Sequence, residues 1–343
     1  MTTTRILVTG GAGFTGSHHV RTLLGPAGPG DAEITVPDNS PTPATPPAST
    51  RSAPPFRFVH GDICDTPLVA GLVAGHEQIV HFAAESHVDR SLLGAAEFIT
   101  TNVLGTQTPL DAARRRPGGP ARFLHVSTDE VYGSPAEGSW PESDPPRPNS
   151  PYAASKASSD LDALSYHRTH GPDVRVTRCS NNYGHHHLPE KVIPLFVTNL
   201  LDGHRVPLYG EGLNVRDRLH IDDHVQGPEL VRTGGRPGEV YNIGGGTELS
   251  NKELATLLLD LAGATWDSVE HVPDRPGHDL RYPVDCTKIS RELGHRPRKD
   301  FTQGLAETFA WYRDHRTWRE PLKHKAVPRA GERAPRERHR AWR

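Results

Sequence analysis

The chain has 343 residues, a formal net charge of −2 at pH 7 and three cysteines, Cys64, Cys179 and Cys286. This length can bury a large core, and the near-neutral charge predicts no general affinity for nucleic acid or membranes. The odd number and wide spacing of the cysteines indicate neither a disulfide framework nor a zinc site. No apolar run reaches membrane-spanning length, and the first predicted strand starts at Arg5 without room for a signal peptide, so we expect a cytoplasmic protein.

Short apolar runs alternate with helical stretches in the first half of the chain. They are Ile6–Val8, Ile34–Val36, Phe56–Val59, Ile79–Phe82, Phe123–Val126 and Val174–Thr177. This alternation predicts an α/β fold with a doubly wound parallel sheet. The regularity fades after about residue 180, where Gly- and Pro-rich loops separate short segments. We therefore expect a smaller C-terminal substrate-binding lobe.

These patterns divide the chain into three predicted parts. Residues 1–180 form a dinucleotide-binding domain, to which later segments can return, and residues 181–318 form mainly the substrate lobe. Residues 319–343 form a basic, disordered tail, because 323–343 contains eight Lys or Arg residues against two Asp or Glu. A solvated extension is favoured there over a nucleic-acid arm. Residues 37–55 contain seven prolines and are predicted to be a long loop between strands two and three.

A glycine-rich turn, Thr9–Gly16, lies directly between the first strand and a helix that ends near Gly25. Glycine permits a tight turn, and the helix N-terminus offers free N–H groups to a pyrophosphate. The order of strand, turn and helix predicts a Rossmann dinucleotide site. Asp38 lies 22 residues beyond Gly16, where a carboxylate can bind the adenosine ribose and repel a 2′-phosphate. This favours NAD over NADP; the alternative is a loop carboxylate beside Pro37.

Two adjacent carboxylates, Asp129 and Glu130, follow the fifth predicted strand. The carboxyl ends of such strands face the cofactor crevice, so we predict that both act on the substrate. Two acids in one site tend to have their pKa values pushed apart, which supplies one proton donor and one acceptor. Thr128 can hydrogen-bond the hydroxyl or ketone being oxidised. The alternative is a pair of ordinary loop charges.

A phenol and an ammonium group, Tyr152 and Lys156, lie four residues apart, on one face of a predicted helix. As a base, Tyr152 must lose a proton well below its usual pKa of about 10, and positive charge from Lys156 and a nicotinamide ring favours that loss. Such pairs also occur by chance on surface helices. Together with the glycine turn, this pair predicts hydride transfer. The two carboxylates then imply further proton chemistry, for which elimination of water is the obvious candidate.

Two further groups are weaker candidates. The segment His185–His187 could bind a metal, but no carboxylate or cysteine stands at ligand spacing, so we predict a polar loop and no metal. Arg216 is a candidate diphosphate ligand, because guanidinium matches phosphate oxygens bidentately. Arg275 and His278 could add positive charge to the same group. Each could instead be a surface charge.

Together these motifs resemble the extended short-chain dehydrogenase/reductases and, more closely, the dTDP-glucose 4,6-dehydratases. The Ser-Thr-Asp-Glu-Val-Tyr-Gly string at 127–133 is specific, since similar sugar epimerases lack the Asp-Glu pair. Beyond the motifs above, the resemblance rests on His81–Ser91, Thr101–Val103, Ser180–Gly184, Pro189–Lys191, Asn214–Asp217 and Asp274–His278. Two segments depart from the family pattern, namely Asn39–Ala44 after the ribose-binding carboxylate and the turn Gly184–His187.

The resemblance implies a set of ligand contacts. Those to NAD are Gly10, Gly13, Phe14, Thr15, Gly16, Asp38, Asp62, Ile63, Ala83, Ala84, Ser86, Thr101, Tyr152, Lys156 and Asn182. Those to a nucleotide-sugar substrate are Ser86, Thr128, Asn181, Lys191, Val192, Pro207, Tyr209, Arg216, Asn251, Arg275 and His278. The catalytic residues are Thr128, Asp129, Glu130, Tyr152 and Lys156.

The resemblance also implies a reaction sequence on dTDP-glucose. Tyr152 takes the C4 hydroxyl proton as hydride passes to NAD, Glu130 removes the C5 proton, and Asp129 protonates the departing C6 hydroxyl. Hydride returns to C6, so NAD is regenerated in place. A homodimer is expected. The rival hypotheses are a nucleotide-sugar epimerase or decarboxylase of the same fold, and a non-catalytic protein that binds NAD or a nucleotide sugar.

Overall fold

The computed structural model describes residues 3–26, 28–30, 32–40, 56–135 and 137–323. Within these ranges the strands are β1 (Thr4–Thr9), β2 (Ala32–Asp38), β3 (Phe56–His60), β4 (Gln78–His81), β5 (Arg122–Thr128), β6 (Val174–Cys179), β7 (Asn181–Tyr183), β8 (Val206–Tyr209), β9 (Val215–His220), β10 (Val240–Ile243), β11 (Glu248–Ser250) and β12 (Val269–Val272). The α-helices are α1 (Phe14–Leu24), α2 (Thr66–Ala74), α3 (Val88–Leu93), α4 (Ala96–Phe98), α5 (Gly105–Arg114), α6 (Pro151–His170), α7 (Val192–Leu201), α8 (Ile221–Gly234), α9 (Asn251–Ala262), α10 (Thr287–Leu293), α11 (Phe301–Asp314) and α12 (Arg316–Lys323).

The fold is built on a seven-stranded parallel sheet with the strand order β10-β6-β5-β4-β1-β2-β3. The six predicted apolar runs coincide with six of these strands, which confirms the doubly wound α/β prediction. On the inner strand β1, Ile6 and Val8 pack with residues of α1 and α8, whereas Leu7 packs with residues of α2, α5 and α6. Because helices cover both faces, the strands are apolar at consecutive positions rather than at alternate ones.

Segments after residue 180 build further sheets and also return to the main one. A three-stranded sheet has the order β11-β9-β7, and β12 pairs with β8. Their core contains buried side chains from β7, α7, α9 and α11, among them Tyr183, Phe196, Leu254 and Phe309. β10 pairs in parallel with β6, with Val240 opposite Val176. Residues of this region therefore contribute to both parts of the fold.

The predicted loop and tail need correction at their edges. Pro37 and Asp38 belong to β2 rather than to the loop, and residues 41–55 lie outside the described residues. Residues 319–323 are not a disordered tail, since α12 continues to Lys323. There Arg319 is buried and pairs with Asp202 at 2.9 Å. Residues 324–343 lie outside the described residues. Along the described ranges, none of the helices combines the length and apolar character that crossing a membrane requires.

Three buried histidines between α1, α8 and the segment after α10 predict sensitivity to acid. Burial, followed by the charge of Arg232, lowers the pKa of His19 from 6.5 to about 3. Burial, followed by the charges of His19 and His295, lowers that of His224 to about 3. At a pH below 6.5, each of these histidines binds a proton in the unfolded chain but stays unprotonated in the native state. Stability is therefore lost as the pH falls from about 6.5 toward about 3.

At about pH 5, His19 and His224 are each expected to lower the free energy of unfolding by about 2 kcal/mol relative to neutral pH. Urea unfolding at both pH values measures this difference. His224→Leu should reduce the difference in unfolding free energy between the two pH values by about 2 kcal/mol. His170→Asn, at an exposed position, should leave this difference unchanged. Equal pH dependence in the wild type and His224→Leu would exclude His224 as a source of acid sensitivity.

Candidate active site

The glycine-rich turn is shaped by backbone contacts that exclude side chains. Gly10 has φ +69°, and a Cβ there would lie 2.5 Å from the backbone N of Ala83. At Gly16 a Cβ would lie 2.3 Å from the Gly10 carbonyl oxygen. Helix α1 begins after Gly13 without a side-chain cap, so its first N–H groups stay open to phosphate oxygens. This cradle fits the pyrophosphate of a dinucleotide.

Asp38, the last residue of β2, is held beside this turn. Its Oδ2 accepts a hydrogen bond from the Ala12 backbone N at 3.0 Å, and its Oδ1 accepts one from Ser40 N at 2.9 Å. A carboxylate has about four acceptor positions, so two bonds leave capacity for ribose hydroxyls. The position therefore agrees with the predicted ribose contact.

We expect the protein to bind NAD much more tightly than NADP, because the Asp38 carboxylate accepts ribose hydroxyls and repels a 2′-phosphate. Asp38→Asn should weaken NAD binding by roughly 10- to 100-fold, which is the contribution expected of a hydrogen bond to a charged group. The same substitution should reduce the preference for NAD over NADP. Cofactor titration of the nucleotide-stripped protein measures both affinities. Glu33→Gln, on an exposed site of the same strand, serves as the control. Equal affinities of the wild type for NAD and NADP would remove Asp38 from the ribose site.

The other predicted cofactor residues lie mainly along the carboxyl edge of the sheet. Phe14 and Thr15 begin α1, Asp62 and Ile63 follow β3, Ala83, Ala84 and Ser86 follow β4, Thr101 lies in a π-helical turn over Ile99–Leu104, and Asn182 lies in β7. Asp62 Oδ1 accepts the Cys64 backbone N–H at 2.8 Å, which fixes this turn. Strand ends therefore bring this set together from distant parts of the sequence.

The carboxylate pair lies where β5 ends. Thr128 caps the following 3₁₀ turn, Asp129–Tyr132: its hydroxyl accepts from Glu130 N at 3.3 Å and donates to Asp129 Oδ1 at 3.1 Å. Asp129 is buried, and its Oδ2 has no hydrogen-bond partner among the described residues. Thr128 thus orients the Asp129 carboxyl group and holds the backbone of Glu130.

The two acids have different electrostatic surroundings. Burial raises the pKa of Asp129 well above its usual value, and the charges of Glu130 and Asp217 raise it further. Burial also raises the pKa of Glu130, but the cations Arg275 and Arg216 oppose this. Asp129 is therefore suited to carry a proton, and Glu130 to give one up and act as a base.

Tyr152 and Lys156 lie in the first two turns of α6, whose N-cap Ser150 accepts the Ala153 N–H at 3.1 Å. Burial is the main cause that raises the pKa of Tyr152 well above 10, and Glu130 and Cys179 raise it further. A hydrogen bond with Thr128 opposes this shift. Without cofactor the phenol is therefore protonated. The Lys156 ammonium instead donates to the Val126 carbonyl at 2.9 Å. Deprotonation of Tyr152 thus depends on added positive charge, such as the nicotinamide ring.

Beneath Lys156 lies a buried ionic network that the sequence analysis missed. Burial lowers the pKa of Lys156 to about 8, and the Asp160 carboxylate opposes that shift. Asp160 accepts a hydrogen bond from Arg178 Nε at 2.8 Å, and His125 Nε2 lies 3.3 Å from its other oxygen. Asp160 follows Lys156 by one helical turn, which was the available signal.

Cationic side chains gather opposite the two acids. The Arg216 guanidinium lies 4.3 Å from the centre of the Tyr282 ring, and its Nη2 is buried without a hydrogen-bond partner among the described residues. Arg275 pairs with Asp89 at 3.0 Å. The Lys191 ammonium donates to the Ser86 carbonyl at 2.6 Å. Since a buried guanidinium edge requires an acceptor, the arrangement suits a diphosphate.

The structure places the remaining predicted substrate residues on several elements. The Tyr209 hydroxyl donates to Asp89 at 3.1 Å, the His278 imidazole lies 2.6 Å from Asp274, and the Asn181 amide oxygen accepts from the Tyr282 hydroxyl at 3.1 Å. Asn251 begins α9, Val192 begins α7 and Pro207 lies in β8.

Two substrate-side residues were missed by the sequence analysis, Arg218 and Tyr282. Arg218 is buried on β9, where it donates to Asn251 Oδ1 at 3.1 Å. Burial, then the charge of Arg216, lowers its pKa to about 10. Arg216 and Arg218 are two residues apart on a strand and thus share a face, a spacing that could have identified Arg218. The position of Tyr282 has no such signal.

The turn Gly184–His187 packs against α1 and α11. The His187 ring stacks on Phe14 with centroids 4.1 Å apart, and the His186 ring lies 4.4 Å from Trp311. Burial is the main cause that lowers the pKa of His186 to about 3 and that of His18, on α1, to about 2. The turn therefore lies beside the cofactor-binding helix with unprotonated imidazoles.

Known proteins are similar to this chain over most of its length. The model of a family described as GDP-mannose 4,6 dehydratase matches residues 7–308. A dTDP-glucose 4,6-dehydratase of Streptomyces griseus is 63% identical over 322 residues, which cover 93% of this chain and 97% of the relative. The crystal structure of DesIV, a dTDP-glucose 4,6-dehydratase from Streptomyces venezuelae with NAD and dTDP bound, is 58% identical, with a TM-score of 0.86 over 93% of this chain and 99% of its own.

A UDP-glucose 4-epimerase from Thermotoga maritima, solved with UDP-glucose, is 29% identical, with a TM-score of 0.80 over 90% of this chain and 99% of its own. The fold is therefore shared with an epimerase at 29% identity, whereas identities of 58% and 63% are found among the dehydratases. NAD is the cofactor, in agreement with the glycine turn and Asp38. With the carboxylate pair, the Tyr-Lys pair and these similarities, the chain belongs to the dTDP-glucose 4,6-dehydratases of the extended short-chain dehydrogenase/reductase superfamily.

Proposed function

We propose that the protein is a hydro-lyase of deoxysugar biosynthesis that converts dTDP-glucose to dTDP-4-keto-6-deoxyglucose. The observation that carries this proposal is the pair Asp129 and Glu130, held at the end of β5 with different charges around each acid. A simple dehydrogenase or 4-epimerase has no step that uses two further acids.

The Tyr-Lys pair serves the oxidation step. Bound NAD supplies a hydride acceptor for C4 and later a hydride donor for C6. Tyr152 accepts the C4 hydroxyl proton, and Thr128 hydrogen-bonds the same oxygen. Lys156, anchored on the Val126 carbonyl, holds positive charge below the phenol.

The carboxylate pair serves the elimination of water. Ketone formation at C4 acidifies the C5 proton, which Glu130 removes as an ionised base favoured by Arg275 and Arg216. Asp129 stays protonated in its buried position and gives its proton to the C6 hydroxyl, which leaves as water. The C5–C6 double bond that forms is then reduced at C6 and protonated at C5.

In this proposal the diphosphate is bound by Lys191, Arg216 and Arg275. The positive charges of these three side chains all act on Glu130, so they lie near the carboxylate pair. Residues 1–180, with returning segments, bind NAD, and residues 181–318 supply most nucleotide-sugar contacts. The three cysteines are free thiols, which agrees with a cytoplasmic, reducing environment.

Isotope transfer tests the reaction directly. Substrate deuterated at C4 should give product with the label on the C6 methyl group and without consumption of added NAD. In D₂O, one solvent deuterium should enter C5. An epimerase would return the label to C4 and leave C5 untouched. Label recovered in free NADH would identify an ordinary dehydrogenase and exclude the dehydratase.

A homodimer is also part of the proposal. Large apolar side chains are exposed on three neighbouring elements: Leu93 on α3, Ile99 and Leu104 on the π-helical turn, and Leu161 on α6. Exposed apolar groups of this kind are typical of an interface. Sedimentation should give twice the chain mass, and Leu161→Glu should shift it toward the monomer. A monomeric wild type would contradict this assignment.

A further inference from the structure

Three histidines, His18 on α1 and the adjacent His185 and His186 in the turn after β7, lie close together where this turn contacts the helix. One ligand nitrogen from each of His18, His185 and His186 lies within 4.8 Å of the others. The ring centroids of His18 and His185 are 4.5 Å apart, and those of His185 and His186 are 5.0 Å apart. We propose that these three imidazoles bind one divalent transition-metal ion of the zinc class.

The chemistry of the donors selects the ion. Imidazole nitrogens favour Zn²⁺, Ni²⁺ or Cu²⁺, whereas Mg²⁺ and Ca²⁺ require oxygen ligands. His18 Nε2 lies 3.1 Å from the His185 carbonyl, which can only accept a hydrogen bond, so Nε2 carries the proton in this arrangement and the lone pair of the ring is on Nδ1. Such second hydrogen bonds orient metal-binding histidines in general. The fourth coordination position is left for water.

The backbone of the turn makes this convergence possible. His186 has φ +65°, which makes it the one non-glycine residue with positive φ in the part of the chain that the structure describes. On an extended backbone adjacent side chains point to opposite sides, whereas this left-handed residue allows two neighbouring rings to converge. Tetrahedral zinc needs ligand nitrogens roughly 3.3 Å apart. His185 and His186 are partly exposed and can close that gap by side-chain rotation.

Arg21 is the competing cation at this site. Its Nη1 lies 3.4 Å from His186 Nδ1. A bound ion must displace this contact, and the partly exposed Arg21 side chain can swing toward solvent. We therefore expect two opposite effects: loss of a histidine should weaken metal binding, and loss of the Arg21 charge should strengthen metal binding.

The ion would connect the cofactor helix to the loop after β7. His187, adjacent to the site, stacks on Phe14 in the first turn of α1. The ring of Trp311, 4.4 Å from that of His186, provides a local reporter. Metal binding is therefore expected to change tryptophan fluorescence independently of catalysis.

Untagged full-length protein should be titrated with ZnCl₂ by calorimetry and with CoCl₂ by visible absorption and tryptophan fluorescence. We expect one ion per chain and the absorption spectrum of tetrahedral cobalt. His185→Gln and His186→Gln should each weaken binding by roughly 100-fold, and Arg21→Gln should strengthen it. His170→Gln, on the exposed end of α6, should bind as the wild type does.

Wild-type protein that binds no Zn²⁺ or Co²⁺, or histidine variants with unchanged affinity, would overturn the proposal. Circular dichroism checks that the variants fold. A second measurement needs no variant: Zn²⁺ should protect His185 and His186 from diethyl pyrocarbonate, as mapped by mass spectrometry. Equal modification with and without Zn²⁺ would also overturn it.

Discussion

Glu130→Gln should trap the enzyme after its first step, with bound NADH accumulating when dTDP-glucose is added. Oxidation at C4 depends on Tyr152 and the cofactor, whereas removal of the C5 proton depends on the Glu130 carboxylate. The amide has nearly the same size but cannot accept that proton. Overall turnover should fall by about 10²–10⁴, the usual contribution of a general base.

Rapid mixing with detection of NADH absorbance, alongside product assay, measures both effects. Glu137→Gln, on an exposed site of the following loop, should leave both unchanged. Normal turnover in Glu130→Gln with no accumulation of NADH would make Glu130 a bystander. The proposed roles of both carboxylates would then need revision.

Tyr152→Phe should block the reaction one step earlier. Without the phenol oxygen, the C4 hydroxyl proton loses its general base, so both hydride transfer and the elimination that follows it become slow. We expect a loss of about 10²–10⁴ in turnover, this time without accumulation of NADH. The two variants therefore share a low overall rate but differ in the state of the bound cofactor.

The same rapid-mixing assay distinguishes them. Tyr166→Phe provides the matched control, because Tyr166 lies on the same helix. Its hydroxyl accepts a hydrogen bond from Gln107 Nε2 at 3.1 Å and takes no part in the proposed reaction. NADH accumulation in Tyr152→Phe, similar to that in Glu130→Gln, would remove Tyr152 from the oxidation step. NAD content of the purified variant must be measured, since Tyr152 is also a predicted cofactor contact.

Local patterns in the sequence were sufficient to predict the main sheet and much of the site. A strand followed by a glycine turn and a helix is recognisable because all its parts are adjacent, as in Thr9–Gly16. Asp129 and Glu130 directly follow a strand, and Tyr152 and Lys156 are one helical turn apart. Strand and helix periodicity determine where such neighbouring side chains point. Their roles in catalysis stay predictions that the variants above test.

Tertiary structure alone decided which distant groups meet and how they titrate. Burial and the neighbouring Glu130 raise the pKa of the Tyr152 phenol when no cofactor is bound, and the spacing of Tyr152 and Lys156 along the helix could not reveal this shift. Likewise, spacing within His185–His187 predicted a polar loop, while the third imidazole comes from His18, on a different helix. Sequence periodicity describes neighbours along one element, whereas burial and contacts between elements depend on how the whole chain packs. For that reason the motifs around Asp129 and Tyr152 could be recognised in the sequence, whereas their charge states and partners such as Tyr282 could not.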